Sequence, residues 1–249
     1  MNDPSPGQGA GDGERIQKVL ARAGLSSRRE AERWLAEGRI SVNGTVVTRP
    51  GTRVDPSRDT VRVDGKRIAG REPAVYYLLN KPAGCVTTTR DPQGRPVVMD
   101  LMSSVRQRVF PVGRLDFNTT GLLILTNDGE LALRLLRPAT GCPKVYRVRV
   151  RGNPDDATLK RLAGGVVLDG RRTLPCRIAR QGGGSNTWLQ VTMTEGKRNQ
   201  IRRMFLQAGH PVSRLQRVAI GPIRDPRLPP GRYRLLTPHE VRRLKEAVA

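Results

Sequence analysis

The order in which strand-like and helix-like segments follow one another restricts the fold of this 249-residue chain more than any other feature. From residue 76 onward, short strand patterns and short amphipathic patterns mix without a fixed repeat. Tyr76–Leu79 and Leu122–Leu125 are apolar runs of strand length, and Tyr146–Val150 and Trp188–Met193 alternate. Alternation of period two places successive side chains on opposite faces of a sheet. Between these runs, Asn127 with Glu130 three residues on predicts the start of a helix carrying Leu131, Leu133, Leu135 and Leu136. Asn153-Pro154 predicts another, with Pro at its first position, closed by Gly164-Gly165. Ile201, Met204, Phe205 and Ala208 form a helical stripe stopped by Gly209, and Thr237-Pro238-His239-Glu240 reads as a capping box. The strands are too many for a helical bundle and the spacing too irregular for a βαβ repeat, so the predicted class is α+β.

A smaller unit precedes this part. Ile16, Val19, Leu20 and Ala23 share one helical face, and Gly24 can end that helix. Ser27 with Glu30 begins a second helix bearing Ala31, Trp34 and Leu35, stopped by Gly38. Two hairpin signals follow: Asn43-Gly44 between Ile40-Ser41-Val42 and Thr45-Val46-Val47, and Asp64-Gly65 between Val61-Arg62-Val63 and Lys66-Arg67-Ile68. Residues 1–13 are Gly/Pro/Ser/Asp-rich and predict a disordered tail. Residues 69–74 read as a linker. The predicted organisation is thus a tail (1–13), a unit of two helices and a small sheet (14–72), and a larger mixed domain (73–249).

Charge narrows the function. The chain has 45 Lys+Arg against 22 Asp+Glu, a net +23, and 38 of the 45 are Arg. Arg presents a planar fork matched to phosphate, and so large an excess points to a polyanion, most simply nucleic acid. Residues 73–249 carry 31 basic and 12 acidic residues, so most of the field belongs to the larger domain. The longest apolar stretch falls far short of a membrane span, and no hydrophobic signal core stands near the start, which argues against membrane insertion and secretion. Three dispersed cysteines (Cys85, Cys142, Cys176) and two histidines (His210, His239) offer little for a zinc site or a disulfide framework, so neither metal nor cofactor is expected and a reducing cytoplasm fits best.

Three stretches can carry chemistry. Gly113-Arg114-Leu115-Asp116-Phe117-Asn118-Thr119-Thr120-Gly121 feeds a polar turn into a buried strand. An Asp there either bonds neighbouring amides as a turn former or stands in a cleft as nucleophile or base, and the residues alone leave both open. In Thr194–Met204, Arg202 sits on the border of the apolar stripe, where it can grip phosphate or reach inward to a carboxylate. Arg198 shares its flank at i, i+4. Tyr146, one of four tyrosines, either packs in the core or stacks on an extruded base.

Taken together, "LLNKPAGCVTT", "GRLDFNTTGLLILTNDGEL", "KVYRV" and "TEGKRNQIRRMF" resemble the RsuA/RluB/RluE/RluF group of ribosomal RNA pseudouridine synthases, nearest the RluB type. "RIQKVLARAGLSSRREAERWLAEGRISVNGTVV" resembles an S4 domain, an RNA-binding module. The resemblance implies an S4-like domain followed by a mixed, mainly antiparallel catalytic domain that converts a specific uridine of ribosomal RNA to pseudouridine without a cofactor. It implies that Asp116 is the essential aspartate, Tyr146 the aromatic against the base, and Arg202 the partner of the aspartate. Leu215 would form the apolar floor and Arg114 would contact RNA. Lys81, Lys197 and Arg198 would line the RNA-facing rim, with Arg28 and Arg29 on the S4-like helix. Large-subunit 23S RNA is the favoured substrate over small-subunit 16S RNA, with the protein acting as a monomer in the cytoplasm. A non-catalytic ribosome-assembly factor fits the charge equally, but leaves Asp116, Tyr146 and Arg202 unexplained. A DNA-binding regulator is opposed by the hairpins directly after the two short helices.

Overall fold

A computed structural model describes residues 13–182 and 186–249. Chain contacts divide it into two units that meet between Ala74 and Val75. The expected tail lies, apart from Gly13, outside the described residues.

The N-terminal unit holds α1 (Ile16–Arg22) and α2 (Arg28–Ala36). Its sheet contains β1 (Ile40–Val42), β2 (Thr45–Val46), β3 (Val61–Val63) and β4 (Lys66–Arg67), in the order β2-β1-β3-β4. Ser27 Oγ accepts from the Glu30 amide at 3.2 Å and so caps α2. Asn43 and Asp64 take the left-handed conformation (φ 52° and 48°) that a two-residue hairpin of this hand demands of its first turn residue. Ile16, Leu20, Ala31, Leu35, Ile40 and Val61 close a small core, so the two helices and the two hairpins are held together by one apolar cluster.

The C-terminal unit is built on one eight-stranded sheet. Along the chain come β5 (Tyr76–Lys81), β6 (Thr120–Thr126), α3 (Gly129–Leu136), β7 (Lys144–Arg151), α4 (Asp156–Ala163), β8 (Arg177–Gly182), β9 (Asn186–Met193), α5 (Gln200–Gln207), β10 (Val212–Ile220), β11 (Tyr233–Leu235) and α6 (Pro238–Glu246). The strand order is β8-β9-β7-β10-β6-β5-β11, with Phe110–Pro111 also paired to β6. Every pair is antiparallel except β10 with β6, which run parallel through Gln216 opposite Thr120 and Arg217 opposite Gly121. That short seam joins two half-sheets. Helices α3 and α6 cover one face of β5 and β6 through Leu131, Leu135 and Leu244, while Val98 and Met102 pack on the other. Helices α4 and α5 cover one face of β7, β9 and β10 through Leu159, Leu162, Met204 and Phe205.

The α+β class expected from the segment order holds, and two helix starts are corrected. Asp128, not Asn127, caps α3: its Oδ1 accepts from the Glu130 and Leu131 amides, both at 3.1 Å. Asn127 instead accepts the Val75 amide at 2.9 Å, tying the helix entry to the start of β5. Asp155 caps α4 and bonds the Thr158 amide at 2.7 Å, so Pro154 precedes the cap rather than opening the helix. The Thr237/Glu240 capping box forms in both directions.

Candidate active site

The loop before β6 passes over a cleft on the helix-covered face of the sheet. Asp116, Tyr146 and Leu215 line this cleft together with Arg114, Met193 and Asn199. The three residues expected to surround a base therefore meet, although 30 residues of chain separate Asp116 from Tyr146 and 69 separate Tyr146 from Leu215. Tyr146 and Leu215 point inward because they alternate with exposed neighbours: Tyr146 precedes exposed Arg147 and Leu215 follows exposed Arg214. Tyr146 stands beside Met193 at the mouth of the apolar cluster, an enclosed wall against which a flat ring can pack.

Asp116 is half-buried. The Asn199 amide, oriented by its hydrogen-bond partners, donates to both carboxylate oxygens at 2.8 and 3.0 Å. Asn199 adopts a left-handed conformation (φ 52°, ψ 28°) directly before α5. Asn tolerates that geometry better than most residues, and it aims the amide at the carboxylate. No periodicity marks this residue. Its only signal in the sequence is an Asn ahead of a helical stripe, which by itself reads as a cap.

Thr87 Oγ1 donates to the Leu115 carbonyl at 2.7 Å and accepts from the Leu115 amide at 3.2 Å. Both backbone groups of the residue before Asp116 are thereby clamped. Beneath the loop lies Lys81, fully buried. Its ammonium donates to the carbonyls of Thr119 at 2.9 Å, Pro82 at 3.0 Å, and Asp116 and Phe117 at 3.2 Å each. Burial pushes the Lys81 pKa below the ordinary lysine value, and the fields of Cys85 and Asp116 partly oppose that shift.

Lys81 is thus not a rim residue. It faces inward at the end of β5, opposite side-chain-free Gly121, and knits the Asp116 loop from below. Lys81→Met keeps the length of the side chain but strands these carbonyls. It is expected to lower stability by about 2–3 kcal/mol, the scale of a buried charge-assisted hydrogen bond. Calorimetry reads this as a fall in Tm of several degrees, and an unchanged Tm would contradict the tethering.

Arg202 also departs from expectation. It forms no ion pair with Asp116. Its guanidinium reaches the Val212 carbonyl at 3.3 Å and the Thr119 hydroxyl at 3.5 Å. Thr119 in turn donates its amide to the Asp116 carbonyl at 3.0 Å, so Arg202 supports the same loop one residue pair away from the carboxylate. The expected i, i+4 alignment of Arg198 with Arg202 is absent, because α5 begins at Gln200 and left-handed Asn199 turns the chain between them. Arg198 and Arg114 are exposed. Lys197 lines the cleft, with its ammonium on the Arg172 carbonyl at 2.9 Å. Arg28 and Arg29 are exposed at the start of α2 in the N-terminal unit, and there Arg28 shares a groove with Arg15, Lys18 and Arg53.

Two further cations, Lys144 and Arg217, are buried next to Tyr146 in the sheet register. Lys144 donates to the Thr194 carbonyl at 3.1 Å and Arg217 Nε to the Leu122 carbonyl at 2.7 Å. Burial lowers the Lys144 pKa, and Arg217 adds to that effect. The cleft therefore combines one oriented carboxylate, one aromatic ring, an apolar floor and a surround of fixed positive charge. Among the described residues, no helix is long and apolar enough to cross a membrane.

Comparison with known proteins agrees with this arrangement. The profile of the family described as RNA pseudouridylate synthase matches residues 75–207, and that of the S4 domain matches residues 14–59. A protein of Aquifex aeolicus named as an uncharacterized RNA pseudouridine synthase is 46% identical over 237 residues, covering 94% of each chain. The ribosomal large subunit pseudouridine synthase B of Bacillus subtilis is 42% identical over 235 residues, covering 93% of this chain and 96% of that one. A crystal structure of a pseudouridylate synthase superposes with a TM-score of 0.67 at 28% identity, covering 92% of this chain and 99% of the other.

Proposed function

The chain belongs to the RNA pseudouridylate synthase family, with an S4 domain ahead of the synthase domain, and we propose that it isomerises one uridine of large-subunit 23S ribosomal RNA. The observation that carries this reading is the meeting of Asp116, Tyr146 and Leu215 in one cleft, with the carboxylate oriented by Asn199. The relatives named for the large subunit, at 42–43% identity, support the choice of RNA.

The chemistry follows from the residues. A stacked uridine hides its glycosidic bond, so the nucleotide is extruded at a cost of a few kcal/mol. Phosphate contacts from Arg114, Lys197 and Arg198 offset that cost on the rim. The base then lies between the Tyr146 ring and the Leu215 side chain. The C1′–N1 bond breaks, the uracil turns while still enclosed, and C5 joins C1′. One proton leaves C5 and one is gained at N1, so no atom or electron is exchanged with a co-reactant. Asp116 acts at the sugar, where an ionised carboxylate can assist bond cleavage, and the Tyr146 hydroxyl is placed to move the C5 proton. Arg202 and Lys81 hold the loop that presents Asp116. Arg28 and Arg29 of the S4 domain grip structured RNA, chiefly through its backbone. The protein acts as a monomer in the cytoplasm, since one chain supplies every residue lining the cleft.

Site-resolved pseudouridine mapping of both ribosomal RNAs in a strain lacking this gene tests the proposal. The expected result is the loss of one discrete site in 23S RNA, restored by the wild-type gene. Loss in 16S RNA would overturn the large-subunit assignment, and unchanged maps would overturn the ribosomal one.

A further inference from the structure

The sheet has a second face that the cleft does not use. In β8, β9, β7 and β10 there is no acidic residue, while Arg177, Arg180, Lys144, Arg147, Arg149, Arg151, Arg214 and Arg217 are basic. These eight divide sharply. Lys144 and Arg217 are buried beside the cleft, and Arg180 is tied to Asp156, Asn153 and the Pro154 carbonyl. The other five, Arg147, Arg149, Arg151, Arg177 and Arg214, stand on the side opposite Tyr146, Val148 and Val150. Arg147, Arg151, Arg177 and Arg214 are exposed there and Arg149 is half-buried.

None of the five has an acidic partner, and Arg149 Nε is sequestered with no acceptor. The register fixes their layout. Arg149 lies between Trp188 and Arg214 on neighbouring strands, and Arg147 lies between Gln190 and Gln216. Along β7 the arginines repeat about every 7 Å, and neighbouring strands are about 5 Å apart. The guanidinium of Arg147 lies 4.3 Å from the Trp188 ring centroid. That ring is therefore covered by a cation and is not a free platform for a base, so the face reads phosphates rather than unstacked bases.

We propose that this open face of β8-β9-β7-β10 is a second RNA-docking surface that holds the backbone of a duplex segment, separate from the segment whose uridine enters the cleft. The inference rests on the RNA substrate proposed above and extends it: the enzyme contacts RNA on both faces of one sheet. An array of unpaired arginines on a rigid sheet offers a fixed grid of positive forks without base-shaped pockets, which suits the regular phosphates of an A-form stem.

The test uses the full chain and a fluorescent RNA hairpin with a long stem and no uridine in its loop, so that base extrusion plays no part. Dissociation constants are measured across a salt series. The triple variant Arg147→Gln/Arg149→Gln/Arg214→Gln is expected to bind at least tenfold more weakly. The slope of log K against log[salt] should become shallower by about two, the scale for three lost phosphate contacts. The double variant Arg147→Gln/Arg214→Gln touches only exposed positions and should show a proportionate loss with an unchanged melting curve. An equal charge loss at exposed Arg227, Arg242 and Arg243 should alter affinity by less than about threefold. Wild-type affinity and slope in the triple variant would overturn the surface, as would equal losses in the two triple variants. If wild-type protein binds the hairpin through this face yet forms no pseudouridine in ribosomal RNA, the proposed activity fails while the surface stands.

Discussion

Asp116→Asn protein is expected to form pseudouridine at least 10²–10⁴-fold more slowly than wild type, the range for losing an essential acid–base or nucleophilic group. RNA affinity should stay within about threefold. The substitution is nearly isosteric, and the loop that carries residue 116 is held by other bonds: Lys81 on four carbonyls, Thr87 on both backbone groups of Leu115, and Thr119 on the residue 116 carbonyl. What disappears is the charge that the Asn199 amide orients. Removing a negative charge from a cleft that receives a polyanion does not weaken binding on electrostatic grounds. Single-turnover product formation and equilibrium binding on the same RNA separate the two effects. Asp116→Ala should behave alike, which excludes slow deamidation back to Asp as a source of residual turnover. Activity above a tenth of wild type in both pure variants would remove Asp116 from the chemistry.

Gly121→Ala is expected to destabilise the synthase domain by about 3 kcal/mol or more, lowering Tm by about 6–12 °C for a unit of this size. Gly121 has φ +108°, and a Cβ there would sit 2.2 Å from the Arg217 carbonyl oxygen and 2.6 Å from its amide nitrogen. Both are backbone atoms of the neighbouring strand and cannot rotate away. The contact lies in the parallel seam that joins the two half-sheets. Arg217, buried in the same seam, bonds the Leu122 carbonyl from the far strand. Forcing the strands apart would disturb this bond and the Asp116 loop that enters β6. Thermal unfolding and catalytic rate should therefore fall together, and a loss below 1 kcal/mol would mean that the seam accommodates the methyl group.

The two halves of the chain differ in how far they could be read in advance. The N-terminal unit follows from local signals: helical stripes of four apolar residues, Ser27 at a helix start, and Asn-Gly and Asp-Gly turns between β-branched residues. Each operates within a few residues, so sequence periodicity reports it directly. The synthase domain was legible only where its strands alternate cleanly. Strand β10 hides because Arg217 occupies a core-facing position, and β8 hides because its side chains are mostly polar. An alternation rule has no way to see a charge that is satisfied by a distant carbonyl. Helix starts at α3 and α4 shifted by one or two residues because Asx and Pro residues are adjacent there, and the side chain that wins the cap depends on what the other one binds.

By itself, the sequence determined the residue types that the chemistry needs and most of the short elements that carry them, because periodicity, capping and turn preference act over a few neighbouring residues. The strong positive charge, Asp116 in its Gly-bounded turn, and Tyr146 on an alternating strand were all visible there. The tertiary structure alone decided how those residues are held. It placed Lys81 under the loop instead of on the rim, set Arg202 on Thr119 instead of Asp116, and gave Asn199 to the carboxylate. The physical reason is that a buried hydrogen bond joins groups far apart in the chain. Lys81 and Thr119 are 38 residues apart and Arg202 and Thr119 are 83 apart. Which donor meets which acceptor at that range is set by how sheet register and loop packing close, and no local pattern records it.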